Sequence, residues 1–207
     1  MLIVGLTGGI ASGKTTVANM FKNEGAYIID VDKISREVVE PGKLGWQEVI
    51  KTFGEEILNR DKTINRKKLG DIVFSDGEKR RILEKIIHPK IYSEKQKLIN
   101  QIKEKDKEAI IIIDIPLLIE ANQQKTVDKV ILVYVSPQTQ IERLIKRDGF
   151  NLEEAKKRIF AQMPIESKKK YADYIINNEA PLEMVRKEVK SIFQALKIEV
   201  KKAPRNL

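Results

Sequence analysis

Residues 8–15 of the chain read Gly-Gly-Ile-Ala-Ser-Gly-Lys-Thr, which fits the pattern G-x-x-x-x-G-K-[ST]. The apolar run Leu2 to Leu6 precedes this stretch directly, and a helical pattern that carries Val17, Met20 and Phe21 follows it. This order predicts a phosphate-binding loop, because glycines allow the tight turn while backbone N–H groups and the positive end of the helix face the anion. A glycine-rich turn before a capped helix is the alternative, and the lysine and threonine argue against it.

Each residue type in this loop has a chemical reason to be there. Lys14 is expected to neutralise β and γ phosphate oxygens of a nucleotide, and Thr15 to place its hydroxyl on Mg²⁺. Ser12 and Thr16 add possible hydrogen-bond donors near the phosphates. The nucleotide-binding residues predicted here are Gly8, Gly9, Ala11, Ser12, Gly13, Lys14, Thr15 and Thr16.

The rest of the chain alternates short β-branched runs with amphipathic stretches of helical length, which indicates an α/β fold with a mostly parallel, buried sheet. The five predicted strands are Leu2–Leu6, Ala26–Asp30, Ala109–Ile115, Lys129–Val135 and Tyr174–Ile176. Helical periodicity between the second and third strands covers Trp46–Phe53, Lys67–Phe74 and Pro89–Ile102. This insertion is expected to carry the site for the acceptor, since ligands of open sheets bind outside the carboxyl ends of the strands; a structural cap is the alternative.

We therefore expect one domain over residues 1–207, without linkers or repeats. Its core covers residues 1–37 and 109–207, its helical insertion about 38–108, and a lid about 148–172. The lysine run at 168–170 belongs either to this lid or simply to the surface.

Composition excludes several classes of protein. The chain has 207 residues with 42% hydrophobic residues, enough for a continuous core, and a net charge of +9, which favours anionic partners. It has no cysteine, which excludes disulfides, cysteine-ligated metals and a cysteine nucleophile. Neither a membrane span nor a signal peptide is recognisable, so a cytoplasmic protein is expected.

Two acidic positions are candidates for chemistry. Asp114 ends an apolar strand, where an acidic residue commonly helps to hold Mg²⁺; a turn or cap role is the alternative, because Pro116 follows closely. Asp32 follows the second strand two residues after Asp30, and both carboxylates share a face if the extended geometry continues. Asp32 can act as the base for an acceptor hydroxyl, or it can be the N-cap of the next helix, on which Arg36 can bind an anionic substrate.

Basic residues mark two further places. Gln140, Arg143 and Arg147 share one helix face beside an apolar stripe, so this face can bind adenine or phosphates, or it can be simply solvated. His88 is the single histidine, and its place before Pro89 predicts a helix boundary there.

These motifs together resemble the dephospho-coenzyme A kinases of the P-loop nucleoside-kinase-like group, from Leu2 to about Leu182. The stretches that carry the resemblance are GLTGGIASGKTT at 5–16, DVDKISREVVEPG at 30–42, His88-Pro89, DIPLLIE at 114–120, QIERLIKRD at 140–148, Gln162, and ADYIINN at 172–178. Ala11 stands where family members commonly have glycine, which requires a negative φ at this alanine.

The resemblance implies the fold of P-loop kinases, with a five-stranded parallel sheet, a substrate-binding helical insertion and a lid. It implies transfer of the γ-phosphoryl of ATP to the ribose 3′-hydroxyl of dephospho-coenzyme A, the last step of coenzyme A synthesis, with Mg²⁺. Asp32, Lys14 and Arg143 are then the catalytic residues. Arg143, Arg147 and Asn178 are further nucleotide-binding residues, Asp32, Arg36 and His88 bind the acceptor, and Thr15 and Asp114 bind the metal.

Other functions compete with this interpretation. The same loop can serve a kinase acting on another nucleoside, nucleotide or small alcohol, because it fixes the donor and not the acceptor. A nucleic-acid-dependent ATPase is less favoured, since the basic residues lack interleaved aromatic side chains for base stacking. A non-catalytic nucleotide sensor is disfavoured by the set Lys14, Thr15, Asp32 and Asp114. No nucleic-acid or membrane partner is expected, and the sequence does not predict an oligomeric state.

Overall fold

The strands join in one five-stranded sheet in the structure, a computed structural model that describes residues 1–202. The strands are β1 (Leu2–Gly8), β2 (Tyr27–Asp30), β3 (Ile110–Asp114), β4 (Lys129–Tyr134) and β5 (Tyr174–Asn177). Their order across the sheet is β2-β3-β1-β4-β5. All five predicted strands are confirmed, with ends that differ by no more than two residues.

Helices fill the segments between the strands. They are α1 (Lys14–Glu24), α2 (Val31–Glu37), α3 (Leu44–Phe53), α4 (Arg66–Ser75), α5 (Gly77–Lys105), α6 (Pro137–Asp148), α7 (Leu152–Phe160), α8 (Ile165–Lys168) and α9 (Leu182–Lys202). Short 3₁₀ turns cover Glu55–Ile57, Gln123–Thr126 and Lys169–Tyr171. Within residues 1–202, no helix is both long and apolar enough to cross a bilayer.

The pairing of the strands is parallel. Strand β1 pairs with β3, where Leu2 lies opposite Ile110, and with β4, where Val4 lies opposite Lys129. Strand β4 pairs with β5 in the same direction. Parallel strands place their carboxyl ends at one edge of the sheet, so the loop after β1 and the end of β3 are neighbours.

Burial on both faces explains the apolar strands. The residues of β3 are all buried, as expected for a strand covered by helices on each side. On one face, Phe21 of α1 and Phe193 of α9 pack with Val4 and Ile112 of the sheet in one core cluster. This packing fixes α1, and with it the loop that leads into it.

The chain divides into two compact units, one of Met1–Ile29 with Ile102–Leu207 and one of Asp30–Gln101. The first holds nearly all of the sheet, and the second, here called the helical unit, holds α2, α3, α4 and most of α5. The single domain expected from the sequence, with an insertion at about 38–108, stays a prediction. Residues 203–207 of its core lie outside the described residues.

The helical unit has a core of its own, formed by Val49, Phe53, Ile57 and Leu69. Helices α3 and α4 lie where the periodicity predicted them. A third helix was expected to begin at Pro89, but α5 begins twelve residues earlier, at Gly77.

The predicted helix boundary at His88 and Pro89 is therefore wrong, because Pro89 lies inside α5. A proline inside a helix removes one N–H donor and strains the preceding turn. Here the next residue stabilises that turn, because Lys90 Nζ donates to the Ile86 carbonyl at 3.1 Å and to Glu48 Oε2 of α3 at 2.6 Å. The turn that follows the proline is thus held against α3 by Lys90.

Candidate functional site

The loop between β1 and α1 is shaped to receive an anion. Gly13 has φ 83°, and among the described residues no side chain caps α1 at this position. The first N–H groups of an uncapped helix are available to a phosphate, and the helix dipole favours negative charge there. Thr15 and Thr16 are both exposed in the first turn of α1. The local geometry therefore agrees with the loop predicted from the sequence.

Ala11 departs from its expected conformation. Its φ is +58°, in the left-handed region, whereas the sequence analysis required a negative φ at this alanine. The loop bends here as it would with glycine, and the Cβ of alanine is strained in that geometry. The expectation of a negative φ was wrong because the path of the loop, and not the residue type, sets this angle.

Lys14 and Asp114 meet at the carboxyl edge of the sheet, where they form an ion pair. Asp114 ends β3 and lies opposite Leu6 of β1, and its residue is 7% exposed. A carboxylate this far from water is stabilised by the cation beside it. The structure thus brings together the lysine and the acidic residue that the sequence singled out separately.

The hydroxyl of Ser12 is buried, and it has no hydrogen-bond partner within residues 1–202. A buried polar group without a partner is costly, so it marks a place where a ligand can supply the missing hydrogen bond. Gly8 leaves room for this side chain, since a Cβ at Gly8 would lie 2.5 Å from Ser12 Oγ.

Arg143 and Asn178 support the loop from behind. Arg143 Nη1 lies 3.4 Å from the Ala11 carbonyl and 3.3 Å from the Ser12 carbonyl, and Nη2 donates to the Asn178 carbonyl at 2.7 Å. Asn178 Nδ2 in turn donates to the Ser12 carbonyl at 2.7 Å. Both predicted residues therefore lie against the loop, where they bind its carbonyl groups.

Arg147, predicted on the same face of α6, is not brought to the loop. Its guanidinium binds both carboxylate oxygens of Asp148 at 2.8 Å and is mostly exposed. This pairing lowers the pKa of Asp148 below its ordinary value. Arg147, in the last turn of α6, thus differs from Arg143, which lies one turn earlier and contacts the loop.

Two glutamines hold the tip of the loop. Gln140 Nε2 donates to the Ile10 carbonyl at 2.8 Å, and the Ile10 N–H donates to Gln162 Oε1 at 3.0 Å. Gln140 is 2% exposed, so this polar residue is part of the packed face of α6. A Cβ at Gly9 would lie 2.1 Å from Gln140 Nε2, which explains the glycine at that position.

The burial of Lys168 corrects the interpretation of the lysine run 168–170 as simply surface, while its place in a lid stays a prediction. It is fully buried, its Nζ lies 2.7 Å from Glu120 Oε1, and it lies 3.5 Å from the Gly8 carbonyl at the start of the loop. The sequence held a signal for this position: Ile165, three residues earlier on α8, is 3% exposed, so both share one buried helix face. The three consecutive lysines had indicated an exposed segment in spite of this spacing.

A carboxylate anchors the helix that carries these contacts. Glu179 accepts hydrogen bonds from the Ser136 hydroxyl at 2.6 Å and the Ser136 N–H at 3.0 Å, and it also accepts one from Thr139. The hydrogen bond from Ser136, followed by that from Thr139, holds the pKa of Glu179 below its ordinary value. Since Ser136 is the N-cap of α6, Glu179 ties the start of this helix to the end of β5.

The helical unit carries the residues predicted for the acceptor. Asp30 is the N-cap of α2, where its side chain accepts the N–H of Lys33 at 2.9 Å. The alternative role of Asp32 as N-cap is therefore wrong. Because the helix begins at Val31, Asp30 and Asp32 also do not share the face of an extended strand. Asp32 is exposed in the first turn of α2 and Arg36 is exposed in the last.

His88 lies exposed in the middle of α5. Nothing in its position distinguishes it as a ligand-binding residue, since its assignment to the acceptor side came from the resemblance. The role of His88 in acceptor binding stays a prediction, whereas its predicted place at a helix end was wrong.

Comparison with known proteins gives a consistent result. Residues 2–183 match the sequence model of the dephospho-CoA kinase family. The chain is 46% identical over 197 residues to a dephospho-CoA kinase of Carboxydothermus hydrogenoformans, covering 94% of each chain. It is 44% identical over 196 residues to one of Syntrophus aciditrophicus, covering 95% of this chain and 83% of the relative. A solved dephospho-CoA kinase from Campylobacter jejuni is 32% identical and superposes with a TM-score of 0.69, covering 95% and 98% of the two chains.

Proposed function

The chain belongs to the dephospho-CoA kinase family, and from this premise we propose which of its residues carry the reaction. It is a phosphotransferase of P-loop kinase fold that phosphorylates the ribose 3′-hydroxyl of dephospho-CoA with ATP, giving CoA and ADP in the last step of CoA biosynthesis. The observation that carries the residue assignments is the Lys14–Asp114 pair beneath a loop whose uncapped helix end faces an incoming anion.

The proposed phosphoryl transfer requires one base, which accepts a proton, and one leaving group, ADP. The 3′-oxygen of the acceptor forms a bond to the γ-phosphorus of ATP, the bond from that phosphorus to the β–γ bridging oxygen breaks, and ADP leaves. The proton of the 3′-hydroxyl goes to a carboxylate, for which we propose Asp32. Its carboxylate is exposed in the first turn of α2 and is not used as a helix cap, so it is available to a hydroxyl.

On the donor side, we propose that Lys14 neutralises charge on the β and γ phosphates. Binding of ATP must then compete with Asp114 for the lysine ammonium, since the two side chains pair directly. Backbone N–H groups from Gly9 to Thr16 are expected to bind the phosphate oxygens, and the unpaired Ser12 hydroxyl supplies a further donor. The buried position of that hydroxyl supports a ligand at this place rather than bulk water.

The donor set also fits Mg²⁺. Thr15 offers a hydroxyl and Asp114 a carboxylate, which are the hard oxygen ligands that this ion prefers. Among residues 1–202 no group of three or more His, Asp or Glu side chains is placed to hold a metal, so water and phosphate oxygens must complete the shell, as is usual for Mg²⁺. When bound, the ion supplies positive charge that neutralises the phosphates.

We assign Arg143 a role beside the transferring phosphoryl through its place against the loop, 3.3 Å from the Ser12 carbonyl. Asn178, which binds the same carbonyl, is proposed on the adenine side of the nucleotide. Arg147 is proposed as a nucleotide contact on the resemblance alone, and this requires release from Asp148. Residues 148–172 are proposed as the lid, and Arg36 and His88 as acceptor residues of the helical insertion.

The replacement Asp32→Asn tests the base. We expect turnover to fall by about 10²–10⁴-fold, the usual contribution of general-base catalysis, while ATP affinity stays close to that of the wild type. The measurement is the initial rate of CoA formation with Mg-ATP and dephospho-CoA, with ATP binding followed separately by calorimetry.

Glu37→Gln on the same helix is the matched control. Within residues 1–202, the Glu37 carboxylate pairs only with Lys33, on the surface at 3.6 Å, so its loss is expected to leave turnover unchanged. If Asp32→Asn turns over like this control, Asp32 is not the base.

A further inference from the structure

Lys168 and Glu120 form a buried ion pair beside the start of the phosphate-binding loop. The Lys168 side chain is fully buried, that of Glu120 is 20% exposed, and Lys168 Nζ lies 2.7 Å from Glu120 Oε1. Among the described residues no other cation pairs with Glu120. Neither residue has a role in the proposed transfer, although Glu120 ends the stretch DIPLLIE that begins at Asp114.

The burial of this pair is not explained by stability. The free energy lost when both charges leave water can exceed the free energy gained from their attraction. Apolar side chains of similar volume often stabilise such a place at least as well. What the pair provides in addition is charged hydrogen bonds of defined direction. The groups that take part in these hydrogen bonds therefore indicate what the pair does.

The hydrogen bonds of the pair reach the loop on one side and the segment before α8 on the other. Lys168 Nζ donates to the Gly8 carbonyl at 3.5 Å, and Gly8 is both the last residue of β1 and the first of the loop. Glu120 Oε1 accepts the Met163 N–H at 3.2 Å. The pair thus joins the start of the loop to a distant segment of the chain.

Gln162 makes a second connection between this segment and the loop. Its Oε1 accepts the Ile10 N–H at 3.0 Å, near the tip of the loop. Ile165, which is 3% exposed, fixes the short helix α8 in the interior between the two connections. Residues 162–168 therefore contact the loop at two points, through Gln162 and through Lys168.

The segment that carries Glu120 is attached to β1. The Ile115 N–H donates to the Leu6 carbonyl at 3.0 Å, and Thr7 Oγ1 donates to the Pro116 carbonyl at 3.1 Å. The carboxylate is therefore held in place relative to the strand that leads into the loop, and so is the ammonium group that it binds.

The direction of the Gly8 carbonyl determines the direction of the next N–H group. The carbonyl of Gly8 and the N–H of Gly9 belong to one planar trans peptide unit, so they point in opposite directions. A lysine that holds the carbonyl on one side thereby turns the Gly9 N–H to the other side. Because a phosphate-binding loop acts through converging N–H groups, this direction matters for the phosphates.

We propose that the Glu120–Lys168 pair positions the phosphate-binding loop for catalysis. Lys168 holds the Gly8 carbonyl so that the Gly9 N–H faces the phosphates, and Glu120 holds Lys168. Both are positioning residues, since they act through the backbone of the loop. The inference rests on the proposed function, because it takes the loop as the site that binds ATP.

The double replacement Lys168→Met with Glu120→Gln tests the proposal. It removes both charges together, so no uncompensated charge stays buried, and the new amide oxygen can still accept the Met163 N–H. We expect a melting temperature close to that of the wild type. We expect kcat to fall by about ten- to hundredfold, because a displacement of about 1 Å at a reacting group can cost this much in rate.

The KM for ATP separates positioning from a loss of folded protein. A misplaced loop is expected to raise the KM for ATP several-fold, while the dissociation constant of dephospho-CoA, measured by calorimetry, stays that of the wild type. A smaller folded fraction would instead lower the apparent kcat and the number of dephospho-CoA binding sites together, and it would leave the KM for ATP unchanged. That second result would overturn the proposal.

Lys129→Met with Glu199→Gln is the matched control. Lys129 Nζ lies 3.4 Å from Glu199 Oε2, and the pair lies at the amino end of β4, at the opposite edge of the sheet from the loop. This variant is expected to keep the kcat and the KM for ATP of the wild type. The proposal is also overturned if the variant at Lys168 and Glu120 matches this control in both constants.

Amide hydrogen exchange in the wild type keeps the proposal testable if the double variant does not fold. Coupling between two sites is reciprocal, so a non-hydrolysable ATP analogue bound to the loop is expected to slow exchange at the Met163 amide. An exchange rate that the analogue leaves unchanged contradicts the proposal. A wild-type enzyme that forms no CoA would instead contradict the proposed function, which keeps the two failures distinct.

Discussion

At the scale of single residues, Ala11 shows how the loop imposes its own geometry. An alanine in the left-handed conformation destabilises the folded state by about 1–2 kcal/mol. A glycine there lowers the free energy of unfolding by about 0.4–1 kcal/mol, because the unfolded chain has greater conformational freedom. We expect Ala11→Gly to stabilise the fold by about 0.5 kcal/mol, measured as the free energy of unfolding in denaturant. Ala195→Gly inside α9 is the control, expected to destabilise by about 1 kcal/mol. An equal loss in both variants would contradict the strain at Ala11.

Lys168 shows, also at the scale of single residues, that a run of charged residues can include a buried side chain. A lysine within a run of three normally lies in water, and only its spacing from Ile165 indicated burial. Its partner Glu120 lies 48 residues earlier in the chain, after β3. Sequence reasoning could find the helix face but not this partner, because a contact between distant segments depends on the packing of the whole unit.

At the scale of the elements, the ends of the helices were less predictable than their existence. A helix was expected after the second strand with Asp32 as its possible N-cap, but α2 begins at Val31 and Asp30 is its N-cap. Helix α5 continues through Pro89, where the next residue, Lys90, forms an ion pair with Glu48 of α3. Local rules therefore predicted the elements, while tertiary contacts set where they begin and end.

Helix α6 offers a test by pH. The hydrogen bonds to Glu179 lower the pKa of its carboxyl in the folded protein below its value in the unfolded chain. A group of this kind stabilises the fold above the ordinary carboxyl pKa of about 4.3, and the contribution is lost as pH falls through the lowered folded value. We expect Glu179→Gln to lower the melting temperature at pH 7 and to differ much less from the wild type near pH 3.

Glu183→Gln is the control for this pH effect. Glu183 lies near Glu179 in sequence, but among the described residues its carboxylate pairs only with Arg186, on the surface of α9 at 2.8 Å. It is expected to change the melting temperature little at either pH. A difference between Glu179→Gln and wild type that stays the same from pH 7 to about pH 3 would show that the Glu179 carboxylate charge does not stabilise α6.

At the scale of the whole molecule, the fold was largely readable from the sequence. The loop at 8–15 fixed the strand before it and the helix after it, and the unbroken isoleucines of β3 predicted a strand buried on both faces. The loop at 8–15 was readable because its residues are contiguous in the sequence. The contacts that Gln162 and Lys168 make with the loop were not predictable, because they join segments that only the folded chain brings together.

The net charge is a property of the whole molecule that affects how fast ligands associate. A chain with a charge of +9 attracts ATP and dephospho-CoA, which are both anions, and salt screens this attraction over a Debye length of about 10 Å at 0.1 M. We expect the association rate of dephospho-CoA, measured by stopped flow, to fall several-fold between about 0.02 and 0.3 M NaCl. The binding of neutral adenosine is expected to stay nearly constant. Because screening acts only on charge, an equal response of both ligands would mean that salt changes the protein itself, and long-range attraction would then not explain the basic composition.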